Sequence, residues 1–466
     1  MVRLFSHYVP ARLVLLIVVE ALVMMVSAYA GFSFHHSRAG MLMAEAEASV
    51  FVPSQATVFA LGMLVVMNSM GLYQVELWKD VHAVLVRVAV TVVVGLGITV
   101  LATHLVSSVY LGLEGLAVMV LVALSGSGLA RFVFYRWERL SAFKPRVLVL
   151  GTGSRVMRLA EFAQHTHSHV VVGYVAPHGS RHYVPLANVL PVAPGDTLLS
   201  VVKKYGIDQI VVAVRDRRGG GLPVQELLEC RLNGVKVTEL STFFEREYRQ
   251  VLLESLNPSW MVLGEGFRQG WFRTAVKRLF DVTASVVVLL LTFPLILLAA
   301  ACIYLESGRP VLYRQERVGQ GGRVFTIYKL RSMKNDAECD GTPRWAAAKD
   351  ARTTRVGRIL RKLRIDELPQ ILNVLKGEMS FVGPRPERPF FVDQLVKQIP
   401  YYALCQSLKP GITGWAQVRY PYGASLDDAI EKLQYDLYYV KNHTLFLDLV
   451  ILIATVEVVL WGRGAR

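Results

Sequence analysis

The sequence predicts a multidomain membrane protein: an N-terminal four-helix transmembrane bundle, a Rossmann-like α/β middle domain, and a basic α+β domain with a re-entrant membrane helix hairpin. Three observations carry this reading. The 466 residues are 53% hydrophobic and only 19% charged, against about 45–50% and about 25% in soluble domains. Four apolar stretches crowd the N-terminal third. The formal charge of +15 sits mostly at the other end, where residues 266–466 carry 29 Lys and Arg against 18 Asp and Glu. At about 150 residues per domain the length suits three domains, here 1–144, 145–265 and 266–466.

The apolar stretches are about Arg12–Phe32, Val50–Tyr73, Val84–Val106 and Val109–Val133. Each is near the ~20 residues that a spanning helix requires. Arg3, Arg12, Lys79, Arg87 and the run Arg131, Arg136, Arg139, Lys144 and Arg146 fall on one side, and only Arg38 falls on the other. Lys and Arg favour the cytoplasmic side, so both ends of the bundle are expected there. Glu20 and Glu114 lie within or beside the spans. An intramembrane carboxyl marks either a functional group or an interhelical hydrogen bond.

Residues 146–240 alternate strand and helix patterns, the rhythm of a parallel, doubly wound sheet. Gly151 and Gly153 match the first two glycines of a dinucleotide fingerprint, but Val156 stands at the third. The second strand, Val170–Val175, ends without an acidic residue for a ribose hydroxyl. A regulatory or oligomerisation role is therefore expected ahead of dinucleotide binding. Cys230, Cys302, Cys339 and Cys405 lie far apart with no CxxC, which excludes a disulfide scaffold and argues against a zinc site.

Val282–Leu305 has 24 residues and no charge, long enough to span. Two facts oppose a simple span. Arg268, Arg273, Lys277 and Arg278 precede it, while Arg309, Arg314, Arg317, Arg323 and Lys329 follow it, so both flanks favour one side. Pro294 falls mid-stretch, where it removes a backbone donor. A helix–break–helix over about 277–305 that enters and leaves by the cytoplasmic face satisfies both, with a simply kinked span as the alternative. The closing segment Leu445–Trp461, interrupted by Asp448 and Glu457, reads as an interfacial helix.

The chemistry-bearing residues cluster in the basic domain. A cationic helical segment, Arg352 to Arg364, runs into Ile365-Asp366-Glu367-Leu368-Pro369 and then into a short helix ending at Gly377. Pro369 suits a first turn and Gly377 a C-terminal cap, which places both carboxylates at a helix N-terminus. Paired carboxylates beside guanidiniums suit a divalent cation and a diphosphate, one carboxylate attacking phosphorus while its neighbour binds Mg²⁺. A surface salt-bridge cluster has the same composition. Two neighbours favour chemistry. Arg385 is fixed between Pro384 and Pro386, lowering the entropy cost of presenting it to phosphate. Gln315-Glu-Arg317-Val-Gly319 turns into the strand Phe325–Lys329, followed by Arg331. In Pro410-Gly411-Ile-Thr-Gly414-Trp415, the tryptophan either stacks on a base or packs.

Six motifs occur in order: Lys277-Arg278-x-x-Asp281, the Pro294-interrupted stretch, Tyr328-Lys329-Leu-Arg331-Ser-Met333, Arg364-Ile-Asp366-Glu367-Leu-Pro369-Gln370, Gly383-Pro384-Arg385-Pro386 and Pro410-Gly411-Ile-Thr-Gly414. As a set, over about residues 271–461, they resemble the bacterial polyprenyl-phosphate sugar-1-phosphate transferases, the monotopic phosphoglycosyl transferases. The bundle and the nucleotide-binding-like middle resemble the large members, which make exopolysaccharide or O-antigen. Pro386-Glu-Arg-Pro389 and Tyr435-Asp-Leu-Tyr-Tyr439 are similar to the exopolysaccharide branch.

The resemblance implies a two-step exchange at the bacterial inner (plasma) membrane, with the middle and catalytic domains cytoplasmic. Asp366 would attack a UDP-sugar and release UMP, and polyprenyl (undecaprenyl) phosphate would take the sugar phosphate from the aspartate. Glu367 matches the Mg²⁺-associated carboxylate and Arg385 the phosphate-contacting arginine; Arg317, Lys329, Arg331 and Arg364 join the phosphate-binding set. Many members have Ser-Pro at the helix break, where this chain has Phe293-Pro294. The expected partners are a UDP-sugar, polyprenyl phosphate, membrane lipid and a second copy of the chain in a homodimer, and not nucleic acid. A membrane-bound nucleotide-sugar dehydratase or epimerase would need a full glycine fingerprint and a YxxxK pair, which the sequence lacks. A non-catalytic membrane scaffold is the remaining alternative.

Overall fold

The computed structural model describes residues 2–4, 7–38, 45–73, most of 84–97, 113–139, 144–165, 169–176, most of 183–214, 222–256, 270–334, 352–420 and most of 423–461. By contacts the chain divides into two compact units, one of residues 135–264 and one of residues 2–134 with 265–466.

In the larger unit, a two-stranded antiparallel ribbon, β1 (Val2–Leu4) and β2 (His7–Val9), precedes the helices α1 (Ala11–Arg38), α2 (Glu45–Ser69) and α3 (Leu113–Arg139), and the described residues within 84–97 are also helical. α1 and α3 are long and apolar enough to cross a membrane. The second expected span coincides with α2, whereas most of the third, Val84–Val106, lies outside the described residues. Among the described residues here, the buried charges are paired. Arg131 on α3 donates to Glu20 on α1 at 2.6 Å and to the Leu72 carbonyl at 3.0 Å. Arg87 donates to the Met70 carbonyl at 2.6 Å and to Glu457 at 2.9 Å. In an apolar surrounding an unpaired charge is expensive, and pairing removes most of that cost.

The smaller unit is a four-stranded parallel sheet formed by β3 (Arg146–Leu150), β4 (Val170–Val175), β5 (Gln209–Val212) and β6 (Lys236–Glu239), in the order β4-β3-β5-β6. Helices α4 (Arg155–His165), α5 (Leu198–Tyr205) and α6 (Val224–Leu232) make the crossovers, and α7 (Leu240–Tyr248) follows. Side chains alternate along β3, so Val147 and Val149 enter one core layer while Leu148 and Leu150 enter the other. Val156, at the third fingerprint position, is fully buried in the first layer. The Tyr183 N–H donates to the Thr152 carbonyl at 2.8 Å, closing the chain over the Gly151–Gly153 turn.

The C-terminal part of the larger unit opens with α8, Trp271–Ser307, a 37-residue helix with Pro294 inside it. The expected break is not a non-helical segment, because the backbone stays helical on both sides of the proline. A proline in a helix interior forfeits one hydrogen bond and bends the axis without having to end the helix. Thr292 supplies a hydroxyl here, donated to the Val288 carbonyl at 2.7 Å. A hairpin follows, β7 (Leu312–Val318) with β8 (Val324–Leu330). Then come α9 (Arg355–Lys362), a 3₁₀ turn Ile365–Gln370, α10 (Ile371–Lys376), β9 (Ser380–Val382) and α11 (Pro389–Gln398). A second 3₁₀ turn, Tyr402–Ser407, leads to β10 (Gly411–Thr413), α12 (Trp415–Arg419), α13 (Leu426–Asn442) and α14 (Leu445–Trp461).

Both ends of α8 pack on this domain. Ala299 and Ile303 join Leu330 and Leu360 in its core, while Arg278 donates to the Val374 carbonyl at 2.5 Å and to Leu375 at 2.7 Å. Between them, no residue from 286 to 298 is buried. The carboxylates of α14 face protein: Asp448 pairs with Lys277 at 3.0 Å, and Glu457 pairs with Arg87.

Candidate active site

The carboxylate dyad, Asp366 and Glu367, lies in the 3₁₀ turn between α9 and α10. Helix α9 starts on the Thr354 side chain, which accepts from the Gly357 N–H at 2.9 Å. Glu306, near the end of α8, accepts from the backbone of Arg355 and Val356 at 2.8 and 3.1 Å. Two carboxylate bonds at a helix N-terminus satisfy orphan donors and complement the dipole. Gly357 has no room for a side chain, since a Cβ there would collide with the Ser332 backbone. After α9, Arg364 turns the chain in the left-handed conformation at φ 57°. That costs a non-glycine residue about 1–2 kcal/mol, and it redirects the chain into the turn bearing Asp366 and Glu367.

Asn373, in the helix α10 that follows this turn, ties α10 to β8. Fully buried, it donates to the Thr326 carbonyl at 2.7 Å and to Glu378 at 2.8 Å, and accepts from the Tyr328 N–H at 3.3 Å. Gly377 caps α10 at φ 88°, as the sequence predicts. Pro369 lies in the 3₁₀ turn, ahead of α10.

Both carboxyls are buried, Asp366 at 6% exposure and Glu367 at 7%, and their surroundings treat them oppositely. Lys329 from β8 reaches Glu367 Oε1 at 2.8 Å, Arg385 Nη2 reaches the same oxygen at 3.1 Å, and Arg364 Nη1 lies 3.4 Å from Oε2. Burial alone would raise Glu367, but Lys329, Arg385 and Arg364 override it and hold the group well below its ordinary value. Among the described residues, no hydrogen bond or ion pair engages the Asp366 carboxylate. Burial, and then the charge of Glu367, push it up to about 6 against the opposing pull of Lys329, Arg361 and Arg364. The outcome is a clamped anion beside an uncommitted one.

Of the predicted phosphate-binding residues, Lys329, Arg364 and Arg385 meet at Glu367. Arg385 also donates to Gln417 at 2.9 Å. Arg317 donates to Gln315 at 2.6 Å and to the Pro386 carbonyl at 3.0 Å, with Glu387 at 3.4 Å, bracing the segment that presents Arg385. Arg331 donates to the carbonyls of Ser307 and Gly308 at 2.9 and 2.8 Å, closing the C-terminus of α8. Pro294 lies in α8. Trp415 is 2% exposed and packs edge-on to His7, so it is a core residue and not a free stacking platform.

Other motif members turn out to position the site. Lys277 bridges Asp281 at 2.9 Å and Asp448, Arg278 caps α10, and Asp281 accepts from the Phe381 N–H at 3.3 Å. Gly383 and Gly411 let β9 and β10 approach so closely that a Cβ on either would strike the other strand's backbone. Sequence reasoning missed Asn373 and Gln417; an amide inside the apolar run of α10 was the available signal for Asn373.

The profile of the bacterial sugar transferase family matches residues 272–462, which contain this entire arrangement. The chain is 43% identical over 191 residues to the sugar transferase EpsL of Bacillus subtilis, covering 41% of this chain and 90% of that one. This chain belongs to the bacterial sugar transferase family. Another relative is the UDP-N-acetylgalactosamine-undecaprenyl-phosphate N-acetylgalactosaminephosphotransferase of Aeromonas hydrophila, 42% identical over 259 residues. That match spans 56% of this chain and 60% of the relative's length. A third is the UDP-glucose:undecaprenyl-phosphate glucose-1-phosphate transferase of Caulobacter vibrioides, 46% identical over 193 residues, 41% of this chain and 71% of that one. The dyad, its three cations and Asn373 all fall within the family region.

Proposed function

We propose that the protein transfers a sugar 1-phosphate from a UDP-sugar to polyprenyl phosphate, releasing UMP and forming a polyprenyl-diphosphate sugar. The observation that carries this reading is the pair of buried carboxyls in a family member, Glu367 clamped by three cations and Asp366 left unengaged. In the first step an Asp366 oxygen bonds to the sugar-bearing phosphorus. The bond from that phosphorus to the bridging oxygen breaks, and UMP leaves with the electron pair. In the second, a phosphate oxygen of the lipid attacks the same phosphorus and Asp366 leaves as a free carboxylate. Splitting one displacement into two is the gain of covalent catalysis. Lys329, Arg364 and Arg385 would hold and neutralise the phosphate oxygens.

Mg²⁺ commonly binds through one or two carboxylates together with substrate phosphates, and the carboxylates that could supply them here are Asp366 and Glu367; among the described residues no group of three or more His, Cys, Asp or Glu gathers to hold a metal by protein ligands alone. Glu367 would hold it beside Asp366, where it would neutralise charge on the departing nucleotide.

The membrane reading draws on the apolar helices and on α8, whose ends both pack on the C-terminal domain while no residue from 286 to 298 is buried. A re-entrant path entering and leaving by the cytoplasmic face accounts for this, with the lipid phosphate meeting the dyad at the interface. We read residues 1–144 as a four-span bundle in the bacterial inner membrane, 145–265 as a Rossmann-like regulatory or oligomerisation domain, and 266–466 as the catalytic domain. The pathway is exopolysaccharide or O-antigen synthesis and the assembly a homodimer, both on the resemblance alone.

The test is direct. Purified protein given Mg²⁺, a UDP-sugar and polyprenyl phosphate should release UMP. Without the lipid it should release about one equivalent and gain the mass of a sugar phosphate at Asp366, as a covalent intermediate demands. Turnover persisting in Asp366→Asn would remove the assigned nucleophile.

A further inference from the structure

Beside the dyad, a cleft is lined by the turn Tyr402–Ser407, α12 and α13, with Arg364 and Arg385 at its dyad end. Asp436, on α13, lines this cleft, and its Oδ1 is buried without a hydrogen-bond partner among the described residues. Native interiors rarely leave such an acceptor unmet, so it calls for a partner. Lys432, one turn earlier on α13, also lines the cleft and donates to the Gly423 carbonyl at 2.7 Å. Tyr402 and Tyr420 add ring surface. Burial, against Lys432 and with Glu387, pushes Asp436 up to about 8, so near neutrality its carboxyl can donate as well as accept. None of these groups is used by the phosphate chemistry above.

We propose that this cleft holds the sugar ring of the nucleotide-sugar donor, with Asp436 and Lys432 reading its hydroxyl pattern. The inference rests on the transferase reading. The sugar is bonded directly to the phosphorus under attack, so its ring must lie one linkage from the phosphate held by Arg364 and Arg385. Those two side chains belong to both the dyad and the cleft. A hydroxyl-covered ring has donors and acceptors on its rim and apolar C–H faces, matching a carboxyl, an ammonium and two tyrosines. A site built to hydrogen-bond a hydroxyl discriminates strongly, because losing the hydroxyl leaves its own buried group unpaired.

The experiment measures UMP release by the full-length protein over a panel of UDP-hexoses and UDP-N-acetylhexosamines, with UMP inhibition measured in parallel. Asp436→Ala is expected to lower kcat/KM for the preferred donor about tenfold or more, as loss of a buried hydrogen bond does. It should compress the ratio between donors and leave UMP inhibition unchanged. Lys432→Met, checked with Asp436→Ala for retained melting behaviour, should shift the same ratio should the aspartate variant not fold. Equal losses across all donors, or weakened UMP inhibition with an unchanged ratio, would overturn the assignment; the second result would put uracil in the cleft. Absence of UMP release by the folded wild type from every donor would instead defeat the transferase reading.

Discussion

Lys329 Nζ lies 2.8 Å from Glu367 Oε1, and that contact separates the roles of two carboxyls adjacent in the chain. Lys329 is itself pulled down by burial and held up by Glu367. With the lysine committed to Glu367, no described residue ties down Asp366.

The first prediction concerns pH. Asp366 attacks only when ionised, and its folded value is about 6. Single-turnover UMP release should therefore be flat above neutrality and fall about tenfold per pH unit below about 6, the behaviour of one essential base. A pH–rate profile between 5 and 8 checks this; a limb at the ordinary aspartate value would contradict the burial argument.

The same shift sets a stability prediction. A carboxyl whose value is raised in the folded state favours folding when protonated and opposes it once pH exceeds that value. Asp366→Asn removes the opposed charge, so the variant should be more stable at pH 8, on the order of 2 kcal/mol. The gain should vanish below pH 4. Thermal melts of wild type and variant at the two pH values test it, with the variant inactive at both.

Glu367→Gln should act in the reverse direction. Lys329, Arg364 and Arg385 would face one another without their anion, and breaking a buried ion pair from one side costs about 3–5 kcal/mol. Expected are a lower melting temperature and a large loss of UMP release; an unchanged melting temperature would mean that the cluster is solvated.

Asn373→Ala would leave the Thr326 carbonyl, the Tyr328 N–H and Glu378 without their shared partner. Each orphaned buried group costs about 1–3 kcal/mol. The variant should melt lower and lose activity although Asn373 touches neither carboxyl. Asn373→Asp, which keeps only the accepting half, should not rescue it.

The pair Arg87–Glu457 ties α14 to the N-terminal part of the chain with both side chains buried. Arg87→Met and Glu457→Gln should each destabilise detergent-purified protein, and the double substitution should cost less than the sum, because neither charge is then stranded. Additive losses would show that the two do not couple.

Much was legible in the chain itself. The alternation of strand and helix patterns in residues 146–240 reappears as a parallel sheet in the expected order of elements, because strand and helix periods are local properties. Asp366 and Glu367 are neighbours by covalent bonding, and Gly377 caps its helix because a left-handed residue is needed there. Tertiary structure decided the rest. Lys329, Arg364 and Arg385 come from a strand, a left-handed corner and a proline-framed loop; only packing could make them converge on one carboxylate and divert Arg331 to a helix end. The long-range burial of Trp415 against His7, and the capping of α10 by Arg278, are equally invisible locally. The sequence alone determined which charged groups exist and in what order. The fold determined which are paired and which is left to react, since Coulomb and desolvation energies depend on distances that chain order does not encode.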